Sequence, residues 1–195
     1  VREQVRRVDA RHNSARVARA AIAVLSEKGP AASLDDIARR AGIGIATVYR
    51  RFGDRDGVIR AALSAYVAET VEPRLRGARD GGDAGRALTE ALAATVALLA
   101  ARHGLLAAAK ECGAFDVDVA ERFMEPLRPL LTRAQRQGRV RADLVVRDLA
   151  AIVVMTLATV PPGGSAAADT RRSLALLLAG LRPSAEPLPA AGRAS

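Results

Sequence analysis

The side chains with the most to offer chemically crowd into one run, Ser33 to Asp56. Within it Thr47, Tyr49, Arg50 and Arg51 are interleaved with Ile45, Val48 and Phe52 at positions i, i+3 and i+7. That spacing predicts a short helix whose Val48 and Phe52 face a small core. Thr47, Tyr49, Arg50 and Arg51 are left on its outer arc. Hydroxyls bond phosphate oxygens, and guanidinium groups bind either phosphates or the edge of guanine. No carboxylate pair at metal-ligating spacing and no nucleophile elbow accompanies them. The chemistry on offer is recognition, with no catalytic residues predicted.

The elements that must position this helix are legible on either side. Ser33 is a good helix N-cap, and Asp36 stands three residues on in a capping-box arrangement. Leu34, Ile37, Ala38 and Ala41 then face inward from a short helix. Gly42-Ile43-Gly44 makes a turn, Ile45 to Phe52 forms the next helix, Gly53 can adopt a left-handed cap, and Asp54 can restart the chain. Helix, glycine turn and second helix is the order that places a helix in a DNA major groove. The alternative is a solvated helix carrying two arginines, against which an exposed Tyr argues.

Charge agrees with the nucleic-acid reading. The formal net charge is +9; residues 1–60 carry 13 Lys/Arg against 7 Asp/Glu, and residues 61–195 carry 17 against 14. The excess therefore gathers around the paired short helices, which suits a polyanion, nucleic acid ahead of an anionic membrane surface. An Arg-rich composition without functional meaning is the competing account.

The segment resembles the TetR family of bacterial repressors. The family pattern Ile-Ala-x-x-Ala-Gly-Val, a turn, Gly-Thr-Leu-Tyr-x-His-Phe and a following basic residue is matched by Ile37-Ala38-Arg39-Arg40-Ala41-Gly42-Ile43, Ala46-Thr47-Val48-Tyr49-Arg50-Arg51-Phe52 and Arg55. The resemblance covers about residues 11–70. It implies that Thr47 and Tyr49 hold the DNA backbone, that Arg55 adds a phosphate contact, and that the helix start at Ser33 offers amides to a phosphate. Ile45, Ala46 and Arg50 lie where the family reaches bases, and Gly44 beside them is read as part of the DNA-binding set. Two positions depart from the pattern: Ala46 replaces the usual Gly, and Arg51 stands where His is common, which strengthens phosphate binding at the expense of selectivity.

The 195-residue chain is half hydrophobic and poor in aromatics, a composition that favours helices over strands. The expected fold is all-α, an N-terminal helix-turn-helix domain of three helices plus a C-terminal helical bundle that forms a dimer interface. Expected divisions are a basic arm (1–10), a helix-turn-helix domain (11–54), a ligand-binding and dimerisation domain (55–182) and a flexible tail (183–195). Further helices are expected over 11–28, 55–74, 84–102, 105–111, 118–137, 143–160 (with Asp143 as its cap) and 167–181, with Pro126 and Pro129 kinking the fifth of these. A loop is read at Gly81-Gly82-Asp83 and a break at 161–165. Cys112, the only cysteine, excludes an internal disulfide and reads as a small core residue. The N-terminus lacks a secretory h-region and the longest apolar run, Leu149 to Val160, is too short to span a membrane. A cytoplasmic protein without a membrane partner is expected.

Beyond residue 70 the resemblance rests on helix count and the paired terminal helices alone, and it implies chain pairing and an effector pocket. The sequence supports pairing independently, because residues 149–160 are apolar nearly all round and the final helix carries Leu174, Leu177, Leu178 and Leu181 with Leu176 on a flanking face. Two such helices per chain would build an isologous four-helix homodimer interface; a monomer that covers them with its own helices is the alternative. Candidate pocket residues are Tyr66, His103, Phe115, Phe123, Met124, Met155, Thr156 and Thr159, each of which also reads as ordinary core. His103 is read as a cap at a helix end and His12 as solvated. No metal or cofactor is expected. The leading reading is a non-enzymatic repressor that releases a palindromic operator in double-stranded DNA when an unknown small molecule binds. A small-molecule carrier, an enzyme, or a protein-interaction adaptor with an incidental basic domain are the rivals.

Overall fold

A computed structural model describes residues 2–78, 82–161 and 167–190, with side chains from His12 onward. The described residues are all-α and contain no strand. Eleven α-helices follow one another: α1 (Arg2–Lys28), α2 (Leu34–Ala41), α3 (Ile45–Phe52), α4 (Arg55–Tyr66), α5 (Glu72–Arg76), α6 (Ala84–Ala100), α7 (His103–Glu111), α8 (Val117–Met124), α9 (Arg128–Arg136), α10 (Val146–Ala158) and α11 (Ala167–Ala179). Two compact units result, one built from residues 1–67 and 102–114, the other from 68–101 and 115–195. These units cut across the division expected at residue 54: α4 packs with α1 and α3, and α7 packs on α1 and α4.

In the N-terminal unit α1 is the central post. Val17, Ala21, Val24 and Leu25 recur at helical spacing and are buried with Ile37, Val48, Val58, Ile59 and Leu63. The helix begins at Arg2, not at Arg11 as expected, since neither Gly nor Pro interrupts the segment that was read as an arm. The side chains of Arg6, Arg7 and Arg11 lie outside the described residues. The 3₁₀ turn Gly29–Ala31 follows, with Pro30 early in the turn. Helix α7 approaches this turn through Gly104, where a Cβ would overlap the Leu25 carbonyl oxygen and lie 3.1 Å from Gly29 Cα. The expected 55–74 helix divides at Tyr66, followed by a π turn over Val67–Val71 and then α5. Pro73 explains the break, because it removes the donor that a continuing helix needs.

In the C-terminal unit α10 lies against α8, α6 and α11, and α6 against α9. Pro126 and Pro129 act as expected: α8 stops at Met124, a 3₁₀ turn covers Glu125–Leu127, and α9 restarts at Arg128. Asp143, expected to cap the next helix, does not. Asp148 receives the Val145 N–H at 2.8 Å at the start of α10. Asp143 instead pairs with Arg141 at 2.8 Å and accepts the Leu188 N–H at 2.7 Å. Arg141 also donates to the Glu186 carbonyl at 2.6 Å. Residues 183–190, expected to be part of a flexible tail, are therefore fastened to the α9–α10 connection; residues 191–195 lie outside the described residues. The Arg141 guanidinium, then the Leu188 N–H, hold the Asp143 carboxyl well below the usual range. Much of the expected 161–165 break and Gly81 also lie outside the described residues. Among the described residues, no single helix is long and apolar enough to cross a membrane.

Candidate nucleic-acid interface

The paired short helices are set by local chemistry. Ser33 Oγ accepts the Asp36 N–H at 3.1 Å while Asp36 Oδ2 accepts the Ser33 N–H at 3.2 Å, the reciprocal box the sequence predicts. Gly42 ends α2 in the left-handed region at φ +62°, its N–H bonded back to the last turn. Ile43 N–H then reaches the Ala38 carbonyl at 3.1 Å. Gly44 precedes α3, and its carbonyl receives Thr47 N–H at 2.9 Å and Val48 N–H at 3.3 Å. Gly53 ends α3 at φ +82°, and Asp54 caps α4 by accepting the Gly57 N–H at 2.6 Å.

Helix α3 buries little of itself. Val48 is its one buried residue, Phe52 and Thr47 are half-buried, and Ile45, Ala46, Tyr49, Arg50 and Arg51 are exposed. Tyr49 is 50% exposed, unusual for an aromatic that has an apolar core within reach. Among the described residues, Arg50 and the hydroxyls of Thr47 and Tyr49 have no hydrogen-bond or ion-pair partner. These groups form an outward donor surface.

The other cations of the region are engaged internally. Arg51 Nε donates to Ser14 Oγ of α1 at 2.9 Å, leaving both Nη groups outward. Arg16 Nη2 donates to the Ala41 carbonyl at 2.6 Å, closing the C-terminal end of α2. Arg40 pairs with Glu27 at 2.6 Å, and Arg39 with Asp35 at 2.8 Å. Arg55 Nε donates to the Ala32 carbonyl at 3.1 Å, and its Nη2 to the Pro30 carbonyl. The contributions of Ser14, Arg16 and Glu27 were not legible in the sequence, since their partners lie 13 to 37 residues away without local periodicity.

The α2 start differs from the anion site expected at Ser33. The Ser33 and Asp36 amides are spent inside the capping box, so the amides of Leu34 and Asp35 are the ones left to bind an anion. Asp35 and Asp36 both occupy the first turn, where their charge opposes a phosphate except as Arg39 and Lys28 neutralise it. Asp36 is held at about 2, first by its Lys28 hydrogen bond and then by Ser33. The cap's contribution is therefore complete above the ordinary aspartate range and is lost as pH falls toward about 2. In an acid titration followed by NMR, the α2 resonances should move in that window, and Asp36→Asn should abolish the movement. Resonances that stay put would mean the box does not hold α2.

The eight residues proposed for a pocket divide between the two units. Tyr66 and His103 belong to the N-terminal unit, the other six to the C-terminal unit. Arg102 stacks over the Tyr66 ring, 5.7 Å from its centroid, and burial pushes the Tyr66 hydroxyl up. His103 opens α7 at its N-terminal end, the opposite pole from the one the sequence reading assigned, because α6 already stops at Ala100. Phe115, Phe123 and Met124 are buried, whereas Met155 is exposed. Thr156 Oγ1 donates to the Ile152 carbonyl at 2.7 Å and Thr159 Oγ1 to that of Thr156 at 2.7 Å, so neither hydroxyl is idle. A cavity of about 570 Å³ in the C-terminal unit is lined by other residues, among them Ala93, Val96, Ala97, Ala100, Thr170 and Leu174.

Comparison with known proteins resolves the parentage of this architecture. The family model for the N-terminal region of bacterial regulatory proteins of the TetR family matches residues 17–62. The model described as the C-terminal domain of SbtR-like transcriptional regulators matches residues 83–183, about half the chain. The chain belongs to the TetR family. A TetR transcription regulatory protein from Mycobacterium vanbaalenii is 30% identical, with 90% of this chain and 98% of that one aligned at a TM-score of 0.56. A TetR transcriptional regulator from Streptomyces coelicolor is 28% identical over 88% and 99% of the two chains, with a TM-score of 0.58. A TetR-family regulator from Pectobacterium atrosepticum, at 24% identity, shares the fold at a TM-score of 0.67 over 93% and 99%. The comparison with curated proteins returned no match. As a TetR-family member the chain is a DNA-binding transcriptional regulator, and the exposed arc of α3 lies inside the matched N-terminal region.

Proposed function

We propose that this TetR-family regulator is a repressor that binds a palindromic operator as a homodimer and releases it when a small molecule occupies its C-terminal unit. The observation that carries the DNA half is the outer arc of α3, where the half-exposed Tyr49 ring and the unpartnered Arg50 flank the Thr47 hydroxyl. On this reading Thr47 and Tyr49 donate to backbone phosphates. Arg50 spans a base edge and a flanking phosphate, with Gly44, Ile45 and Ala46 beside it at the bases, while the Nη groups of Arg51 and the first-turn amides beyond Ser33 add phosphate contacts. Tyr49→Phe removes one hydroxyl per chain and leaves the ring. At about 1 kcal/mol per lost bond, the two copies in a dimer should cost about thirtyfold in affinity for a duplex that the wild-type protein selects from a random library. Unchanged affinity in a gel shift would remove Tyr49 from the interface.

Pairing is supported by large apolar side chains left outside on adjacent helices: Leu176 of α11 is 66% exposed and Met155 of α10 is 48% exposed. Such positions are costly on a lone chain and suit an isologous helical interface. Leu176→Arg should convert the dimer to a monomer in sedimentation at micromolar concentration; a persistent dimer would place the interface elsewhere. The effector half rests on the apolar cavity of about 570 Å³, a size that suits a small molecule. Its alanine-rich lining favours an aliphatic ligand. A ligand there weakens DNA binding only by preferring the conformation in which the two recognition helices are wrongly spaced.

A further inference from the structure

The geometry points to Arg55 as a positioning residue that clamps the two ends of the helix-turn-helix together, not as a residue that grips phosphate; this rests on α3 being the DNA-binding helix. Arg55 opens α4, directly after the Gly53 turn that ends α3. Its guanidinium reaches back more than twenty residues, Nε to the Ala32 carbonyl at 3.1 Å and Nη2 to the Pro30 carbonyl. Ala32 is 2% exposed and stands immediately before Ser33, the cap of α2. One side chain thus ties the exit of α3 to the entrance of α2. Nε and Nη2 form a single edge of the guanidinium, which here spans two carbonyls two residues apart in sequence. That edge is no longer free for a phosphate. The contrast with Arg50, which has no partner among the described residues, is direct.

The need for such a clamp follows from how little apolar packing holds α3, with Val48 alone buried. Helices of eight residues are marginal by themselves and take their orientation from what they touch. Arg16 at the end of α2 and Arg51 Nε on α1 brace the same motif from other sides, but among the described residues only Arg55 joins the segment just before α2 to the start of α4 just after α3.

Charge and hydrogen bonding separate the two roles. Arg55→Lys keeps the charge and loses the fork. Arg55→Gln loses the charge, yet its amide nitrogen occupies the place of Arg Nε and can still donate to Ala32. If Arg55 is a clamp, amides of residues 33–52 in the DNA-free protein should exchange hydrogen about tenfold faster in Arg55→Lys and less so in Arg55→Gln. On the wild-type-selected duplex, Arg55→Lys should then lose about tenfold in affinity or more. The salt slope of both variants should equal that of the wild type, because no ionic contact has gone. If Arg55 grips phosphate, exchange is unchanged and Arg55→Lys binds like wild type. Arg55→Gln then flattens the slope by about 0.9 per chain. That second pattern overturns the clamp. Exchange is read without DNA, so accelerated exchange in a protein that selects no duplex would uphold the clamp while defeating the DNA reading of α3.

Discussion

Gly104→Val should strongly destabilise the N-terminal unit. Gly104 is the second residue of α7, and the atoms a Cβ would strike are backbone: the Leu25 carbonyl oxygen, then Leu25 C and Gly29 Cα, both 3.1 Å away. Leu25 is wholly buried in the last turns of α1 and cannot step aside as a long side chain could. Helix α7 would have to lift, carrying Leu105 and Leu106, which are 1% and 2% exposed, away from their contacts. Overpacking a tight site costs about 1–3 kcal/mol, and withdrawing two leucines adds to that, so a loss of at least about 3 kcal/mol is expected. At about 4–8 °C per kcal/mol for a unit of this size, the melting temperature should fall by more than about 10 °C. The lifted helix also presses on the 3₁₀ turn that leads into α2, so DNA affinity should fall before the melt begins. A melting curve within 2 °C of the wild type, on the order of the shift from a typical surface substitution, would show that α7 is not seated on α1.

That contact also marks where the sequence ceases to be informative. The helix-turn-helix was legible because each of its signals is local: the Ser33–Asp36 box, the left-handed Gly42, the Val48 and Phe52 spacing and the Gly53 stop all act within a few residues. The periodic helices of the C-terminal half and the proline break before Arg128 were legible for the same reason. Pro73 gave its signal too, but a proline says only that an α-helix cannot continue normally, and both an end and a π turn satisfy it. What escaped was long-range. Nothing near Gly104 indicates that α1 lies against it, nor does anything near Arg55 indicate Pro30 and Ala32. A basic residue after the recognition helix carries the same letter whether it faces phosphate or a carbonyl. Asp143 illustrates the converse: a plausible local cap is outcompeted by Arg141 and by a segment of tail 45 residues away.

Salt should have the largest effect of all on binding. Each chain brings Arg50 and the outward Nη groups of Arg51 to the surface that carries Tyr49, and Arg6, Arg7 and Arg11 add positive charge to the start of α1. Arg55 is left out of this count, since its Nε–Nη2 edge is already bonded, as are Arg39 and Arg40, which are paired with Asp35 and Glu27. Two chains then neutralise roughly six to ten phosphates, the spread being set by how many N-terminal arginines engage; at a slope of about −0.9 per phosphate, affinity should fall by about 10³ to 10⁵ between 50 and 200 mM salt. The components of that slope are separable. Arg50→Gln should flatten it by about 1.8, one contact from each chain, and deletion of residues 1–11 by about 1.8 for every N-terminal arginine that reaches the duplex. Tyr49→Phe should lower affinity at every salt concentration in parallel, because a neutral hydroxyl displaces no counterion. A half-site duplex should show half the wild-type slope if two identical recognition helices share the load. Were the full-site slope shallower than about −2, fewer than three ionic contacts would exist in the whole dimer, and the basic face of α3 would have to be assigned to folding and not to DNA.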